Sequence, residues 1–347
     1  MDRATIENSI MTFGRGGPIW IVDDANGRPR RFLAVASDEA ARDPVAVLSS
    51  CGDSPMRLVA ADPEDVGLTR EILDRWAGEP GTHVTRHDGV LVSPTPEEAA
   101  VDVARLAGLT AAAVICETAG TRSGSVEADD STTPVLSVDD LVTFRWQSEV
   151  LIERTSQAFL PTPVADFTVV GYRAKVTGGE HIALVLGDVR GRENVLTRVH
   201  SACLTGDVFS SLRCDCGDQL RRSMEAIAEA GVGAIVYNPE HEGRGTGLLD
   251  KLAAYELQEQ GWDTVDANLK IGHEADSRHY GIDAQIIVDL GISTIRLLTN
   301  NPQKVDQLRL FGVDVRERVP IWTERNPHNQ FYIDTKIERL GHLPGPT

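Results

Sequence analysis

The sequence predicts a mixed α/β protein of the α+β kind, organised as two domains. Length is the first reason, because 347 residues exceed what one ordinary core needs. Order is the second. Strand-like and helix-like segments alternate in the first part, three β-rich runs follow, and helix and strand alternate again to the end. The third is Ala158–Asp166, AFLPTPVAD, whose two prolines break the patterning and read as a linker. The domains expected are therefore 1–157 and 158–347.

In chain order, Ile19–Val22 and Phe32–Ala36 read as strands, and Asp38–Ser50 and Leu68–Trp76 as helices. Pro96–Ala107 is a helix with Thr95 as N-cap and Glu97 and Glu98 near its positive end. Ala111–Cys116 has a buried-strand pattern, Gly120–Thr133 is loop-like, and Ser137 caps a helix running to about Thr155. The β-rich runs are Phe167–Val170, Ile182–Leu186 and Val195–His200. Beyond them Gly217–Ala230, Leu248–Gln260, Ile282–Leu290 and Pro302–Phe311 are helices. Ala234–Tyr237, Thr294–Leu298 and Val313–Arg318 are the strands between them.

Composition excludes several functions. Charged residues at 25% and apolar ones at 41% are globular values. A net charge of −18 argues against a non-specific nucleic-acid or anionic-membrane binder, so any phosphate site must be local. No run approaches the roughly 18 apolar residues of a membrane span. The start, MDRATIENSIMTFGRGG, lacks an apolar signal core, so a cytoplasmic protein is expected. Five cysteines are sparse, and three of them crowd into fourteen residues, which suits a metal better than a disulfide framework.

Those three are Cys203, Cys214 and Cys216. In an extended segment Cys214 and Cys216 would face the same side and grip one ion, with Cys203 added from the preceding loop. Three protein ligands leave a tetrahedral zinc one position open to water, a catalytic layout. A structural zinc closed by His200, or three unrelated thiols, are the competing readings. His241-Glu242-Gly243-Arg244-Gly245-Thr246-Gly247 lies between a strand and a helix, where glycines let backbone N–H groups approach an anion. Arg244 offers a fork for phosphate and Glu242 a carboxylate for a purine edge. In Thr299–Lys304, Asn301 fits an N-cap, Pro302 the first helical position, and Lys304 the first turn, a seat for phosphate or an ordinary capped helix with a solvated lysine. Asp276 and Arg278 project together if their segment is extended, and are by themselves no more than a surface ion pair. Tyr255 lies inside a helix and is, locally, a core residue.

Together these segments resemble GTP cyclohydrolase II, the enzyme that opens riboflavin biosynthesis. The matching stretches are RVHSACLTGDVFSSLRCDCGDQL, EGRGTGLLDKLAAYELQEQGWDTVDAN, ADSRHYGIDAQIIVDLGI, RLLTNNPQKV and RNPHNQFYIDTKIERLGH, in the family's order. The resemblance implies that Cys203, Cys214 and Cys216 hold Zn²⁺, whose water attacks C8 of guanine, with Tyr255 assisting ring opening and loss of formate. It places the nucleotide on Arg198, Val199, His200, Ser201, Ala202, Gln219, Glu242, Gly243, Arg244, Thr264, Thr299 and Lys304, with Mg²⁺ on the triphosphate. Formate and pyrophosphate would leave 2,5-diamino-6-ribosylamino-4(3H)-pyrimidinone 5′-phosphate, and a homodimer is expected. Arg278 occupies the position of a proposed nucleophile and Asp276 that of its proton acceptor. A guanidinium holds its proton to a pH above about 12, so an electrostatic clamp is the less demanding role.

The chain also departs from that family. Ala202 stands where a glutamate is usual, the Asn238–His241 stretch is one residue longer, and Thr246 replaces an apolar residue. Ala202 and the altered loop before Glu242 motivate one alternative, a paralogue that opens a related purine nucleotide or stops at a formamido intermediate. Another is a non-enzymatic scaffold or regulator of flavin synthesis, against which Tyr255, Asp276 and Arg278 count. The first domain resembles a shortened 3,4-dihydroxy-2-butanone 4-phosphate synthase, most clearly in Glu97–Glu117 and in SVDDLVTFR. Its acidic metal-binding loop is reduced to Asp23-Asp24 before Ala25-Asn26-Gly27, and the metal-binding histidine of the segment Ser93–Ala99 is absent. That domain is expected to be catalytically dead.

Overall fold

Two sheets organise the chain, one in each of two units, Met1–Ser148 and Glu149–Thr347. The computed structural model describes residues 2–24, 29–37, 56–60, 84–86, 95–118, 133–175, 177–273 and 275–345. The helices expected over Asp38–Ser50 and Leu68–Trp76, and nearly all of the loop over Gly120–Thr133, lie outside the described residues.

In the first unit the strands are β1 (Ile19–Asp23), β2 (Arg30–Ala36), β3 (Met56–Ala60), β4 (Val84–Arg86), β5 (Ala112–Thr118) and β6 (Val135–Ser137). They form one sheet in the order β4-β3-β5-β2-β1-β6. Helices α1 (Arg3–Gly14), α2 (Pro96–Leu106) and α3 (Val138–Ser148) accompany it. Helix α2 begins where its sequence says. Thr95 accepts from the Glu98 N–H while Glu98 reaches back to the Thr95 N–H at 2.7 Å, a reciprocal capping box. Its small residues Ala99, Ala100 and Ala104 are fully buried beside Ile19, Ile21, Phe32 and Ile115. Helix α1 is an element that sequence reasoning missed, although Ile6, Ile10 and Phe13 have helical spacing and meet the same core.

The helix capped by Ser137 ends at Ser148, well short of Thr155, and Ile152–Pro161 is strand β7. The expected linker is therefore a hairpin. Ala158–Pro161 finish β7, the Thr162 hydroxyl donates to the Ala165 carbonyl and accepts from the Val164 and Ala165 N–H groups, and Asp166 opens β8. Every residue of β7 after Ile152 is exposed, so the strand carries no alternating apolar signal. Pro161 is tolerated because β7 is an edge strand.

The second sheet adds β8 (Asp166–Ala174), β9 (Glu180–Leu186), β10 (Val195–Ser201), β11 (Gly233–Asn238), β12 (Ile295–Leu298) and β13 (Val315–Val319). Its order is β13-β12-β10-β11-β9-β8-β7. The run from β7 to β11 is antiparallel, and β11, β10, β12 and β13 are parallel to one another. Around it lie α4 (Leu204–Asp207), α5 (Cys216–Ala230), a 3-10 turn (Pro239–Arg244), α6 (Leu248–Glu259), α7 (Thr264–Lys270), α8 (Gly281–Asp289), α9 (Pro302–Leu310) and α10 (Gln330–Glu338). Gly233 fixes how closely α5 sits on the sheet, since a Cβ there would meet the Leu196 carbonyl at 2.6 Å and Ile227 at 2.8 Å. The carboxyl ends of β10, β11 and β12 all open on one side, where ligands of parallel sheets gather. Among the described residues no helix is long and apolar enough to cross a membrane.

Thr95→Ala removes half of the capping box. It is expected to lower stability of the first unit by about 1 kcal/mol, read as a shifted denaturant midpoint with an unchanged slope.

Candidate functional site

Strand β10 runs out at Ser201 and delivers Cys203 to the start of α4, while Cys214 and Cys216 flank the entry to α5. Those two cysteines are not on an extended segment. Asp215, at φ −104° and ψ 7°, turns the chain into the helix, and Cys216 is the first helical residue. All three sulfurs still converge within 4.8 Å of one another, with Cys203 and Cys214 3.7 Å apart. Among the described residues this is the one His, Cys, Asp or Glu group compact enough to hold a metal. His200 does not join it, because its Nε2 faces both carboxylate oxygens of Asp207 at 3.1 Å.

The cradle fits a metal in shape and in chemistry. A Cβ at Gly206 would lie 2.9 Å from the Cys214 sulfur and 3.2 Å from that of Cys203, and one at Gly217 would lie 2.3 Å from the Gly206 carbonyl. Any side chain at those points would fill the space between the sulfurs and their helix. The Cys203 thiol falls well below its usual range because Cys214 and Cys216 donate to it and Lys251 lies beside it. Cys214 is pushed up to about 12, chiefly by Cys203, and Cys216 rises too. Three thiolates this close repel unless a cation sits among them, and an all-sulfur donor set suits zinc.

Lys251 Nζ donates to the Cys203 sulfur at 3.1 Å and to Glu242 Oε1 at 2.6 Å. The other oxygen of Glu242 accepts from the Leu204 N–H at 2.6 Å. The turn carrying Glu242 leaves β11 and passes through left-handed residues at Gly243, Arg244, Gly245 and Gly247. Arg244, at φ 67°, is the one non-glycine among them, a conformation costing about 1–2 kcal/mol. Its carbonyl accepts from the Ser277 N–H, and its guanidinium lies 3.6 Å from Asp276.

Asp276 and Arg278 are paired side by side, and the Arg278 backbone N–H also donates to Asp276 Oδ1 at 3.2 Å. Arg278 Nε donates to Asp276 Oδ1 at 2.7 Å, Nη2 to Oδ2, and Nη1 to the Ser201 hydroxyl at 3.3 Å. Burial works to raise the Asp276 carboxyl, but Arg278 and Arg244 outweigh it and bring it down to about 2. Asn301 caps α9, and Lys304 points inward rather than to solvent: it is 4% exposed and donates to the Val199 carbonyl at 2.8 Å. Arg198 is equally buried, donating to the Leu298 carbonyl at 2.8 Å and to Gln219 at 2.7 Å.

Two cavities result. One is lined by the three cysteines, Glu242, Tyr255 and Thr264. The other is lined by Arg198, Arg244, Arg278, Lys304 and Lys336, and no described carboxylate lines it. Ser201, Cys216, Arg244, Arg278 and Tyr332 border both. In a chain of net charge −18, this is the local concentration of positive charge that a phosphate needs.

Residues 153–320 match the family described as GTP cyclohydrolase II. The riboflavin biosynthesis protein RibBA of Nocardia farcinica is 46% identical over 334 residues, covering 92% of this chain and 78% of that protein. The chain belongs to the GTP cyclohydrolase II family. RibBA of Aquifex aeolicus is 48% identical over 265 residues, covering 74% of this chain and 65% of that protein, so the chain spans slightly under two thirds of that relative. A crystal structure of RibBX, a two-domain 3,4-dihydroxy-2-butanone 4-phosphate synthase from A. baumannii, shares the fold at 21% identity, with a TM-score of 0.58 over 90% of this chain and 99% of that one.

Most residues that the GTP cyclohydrolase II resemblance singles out meet at these cavities. Ala202, Gly243 and Thr264 line the cysteine cavity, His200, Gln219 and Thr299 the cationic one. Tyr255 is no core residue: its hydroxyl lies 3.2 Å from that of Thr205 and its ring stacks under Arg213 at 4.9 Å. The Val199 side chain points into the core, and its carbonyl reaches the site through Lys304. Asp276 lines neither cavity and acts through its two arginines. Sequence reasoning missed Asp207, Lys251, Tyr332, Lys336 and His342. Lys251 was readable, lying four residues before Tyr255 on one helix face. Asp207 holds His200, the Cys203 N–H and the Tyr237 hydroxyl, none of them near it in pattern.

Gly206→Val is expected to abolish tight metal uptake, read as loss of the thiolate-to-metal absorption on Co²⁺ titration. The depressed Asp276 carboxyl contributes stability above about pH 4 that fades as pH falls toward 2. Asp276→Asn should therefore flatten that part of the acid-unfolding curve.

Proposed function

We propose that this chain is a zinc-dependent GTP cyclohydrolase II. It would open the guanine imidazole ring of GTP hydrolytically and release formate and pyrophosphate, giving 2,5-diamino-6-ribosylamino-4(3H)-pyrimidinone 5′-phosphate. The observation that carries this reading is the joining of a three-cysteine cavity to a carboxylate-free cationic one across Arg244 and Arg278. A purine in the first would leave its phosphates in the second.

When bound by Cys203, Cys214 and Cys216, zinc supplies Lewis-acid activation of water, lowering its pKa from about 15.7 to about 7. Glu242 and Thr264 orient the purine from the cavity wall. Burial raises the Tyr255 phenol, so it stays protonated at neutral pH and can donate a proton as the ring opens. Arg198, Arg244, Arg278 and Lys304 hold the phosphates, with Mg²⁺ brought by the triphosphate. Arg278 acts as an electrostatic clamp on the departing pyrophosphate. A carboxyl titrating near pH 2 is a weak base, so Asp276 serves to aim the guanidinium rather than to deprotonate it. The protein is read as cytoplasmic and homodimeric.

The first unit is proposed to lack lyase activity. The described Glu117 is held by Arg30 in two hydrogen bonds of 2.8 Å, and Glu97 is paired with Arg57, so neither carboxylate is offered to a metal.

Zinc-loaded protein with GTP and Mg²⁺ should yield formate, pyrophosphate and the diaminopyrimidinone monophosphate, measured together. Cys214→Ser should abolish formate, and Arg278→Gln should lower kcat by about 10²–10³. Pyrophosphate without formate would indicate a paralogue that stops early. No turnover of any purine nucleotide would favour the scaffold. Ribulose 5-phosphate with Mg²⁺ should give no product.

A further inference from the structure

Three residues of the stretch RNPHNQFYIDTKIERLGH border the cationic cavity: Tyr332, Lys336 and His342. They belong to α10 and the turn after it, a segment fastened at three points. Arg339 pairs with Asp263 and with Asp266, at 3.0 Å from the latter, which ties α10 to α7. Lys336 Nζ donates to Asp215 at 3.0 Å, between two of the cysteines. The Leu343 N–H donates to the Asn300 carbonyl at 2.9 Å, on the loop that follows β12. The segment thus touches the purine side, the metal loop and the phosphate loop at once.

We infer that the C-terminal segment Asn329–Leu343 is part of the substrate site, with Lys336 and His342 contacting the distal phosphates of the nucleotide. This inference rests on the GTP reading above. Lys336 is 9% exposed, and its ammonium has three protons of which Asp215 engages only part. A phosphate oxygen in the adjoining cavity would take the remainder. Its Nζ lies over the Tyr332 ring, 5.1 Å from the centre, and that ring stands where the two cavities meet. A nucleotide stretched between them must pass that ring with its ribose. His342 is kept neutral by burial and by Lys336, Arg244, Arg278 and Lys304, so it can donate one N–H to phosphate without adding to the charge already crowded there. A mononucleotide ends before this wall, and a triphosphate reaches it.

The zinc-loaded protein is titrated calorimetrically with a GTP analogue that cannot be cleaved between its α and β phosphates, and separately with GMP. Lys336→Met should weaken the analogue about 10- to 100-fold while GMP changes less than about 2-fold, and Lys336→Arg should restore most of the loss. His342→Ala, which keeps the backbone bonds of the segment, should show the same selectivity with a smaller loss. Equal losses for both nucleotides, or loss of bound zinc in Lys336→Met and unaltered binding in His342→Ala, would assign the segment a structural role and overturn the inference. Unchanged binding in both variants would overturn it as well. A wild-type protein that binds neither nucleotide would instead remove the GTP reading itself, and the inference with it.

Discussion

Asp215 is the carboxylate on which the site depends. It sits between two cysteines of the cluster at the entry to α5 and accepts from Lys336 and from Gln219, which in turn accepts from Arg198. One side chain therefore connects the metal loop, the central strand of the sheet and the C-terminal helix. At such short separations in a poorly solvated interior, an unpaired charge costs several kcal/mol. Removing this carboxylate would leave Lys336 without its counter-ion and Arg198 without its relay.

The other buried cations are treated differently. Arg198 and Lys304 donate to the Leu298 and Val199 carbonyls, which satisfy hydrogen bonds without cancelling charge. Burial and the nearby arginines Arg198 and Arg278 drive the Lys304 ammonium well below its usual range, a sign of how much uncompensated charge the cavity contains. Arg278, by contrast, is neutralised by Asp276. The cavity thus combines an aimed, paired guanidinium with two cations, Arg198 and Lys304, whose hydrogen-bond partners are all neutral. An anion of several charges is the partner that relieves this arrangement, and its electrostatic attraction is concentrated at one point of an otherwise acidic surface.

Much of this was legible in the sequence because three of the functional segments directly follow a strand. Cys203 follows β10, the glycine turn follows β11, and Thr299–Lys304 follows β12. Asp276 and Arg278 needed only to project to the same side to meet, and they do. Two things were hidden. Strand β7 is bare on both faces, so neither alternation nor hydrophobicity marked it, and its prolines suggested a linker. Lys336 acquires its role through a partner 121 positions away, a separation that no local pattern encodes. The cysteines converged for a reason other than the expected one, through a helix entry rather than a pleat.

Arg244 illustrates a wider consequence of building a binding loop from left-handed residues. Its three glycine neighbours adopt that conformation freely, whereas Arg244 has the Ser277 N–H on its carbonyl to hold it there. Replacing it with glycine would relax the backbone and raise thermal stability, and it would also delete a cation shared by both cavities. Selection for heat resistance alone would drift toward that substitution and discard the ligand-binding fork. A library made to harden this protein for use in solution must hold position 244 fixed, or it will enrich for well-folded variants with an impaired site.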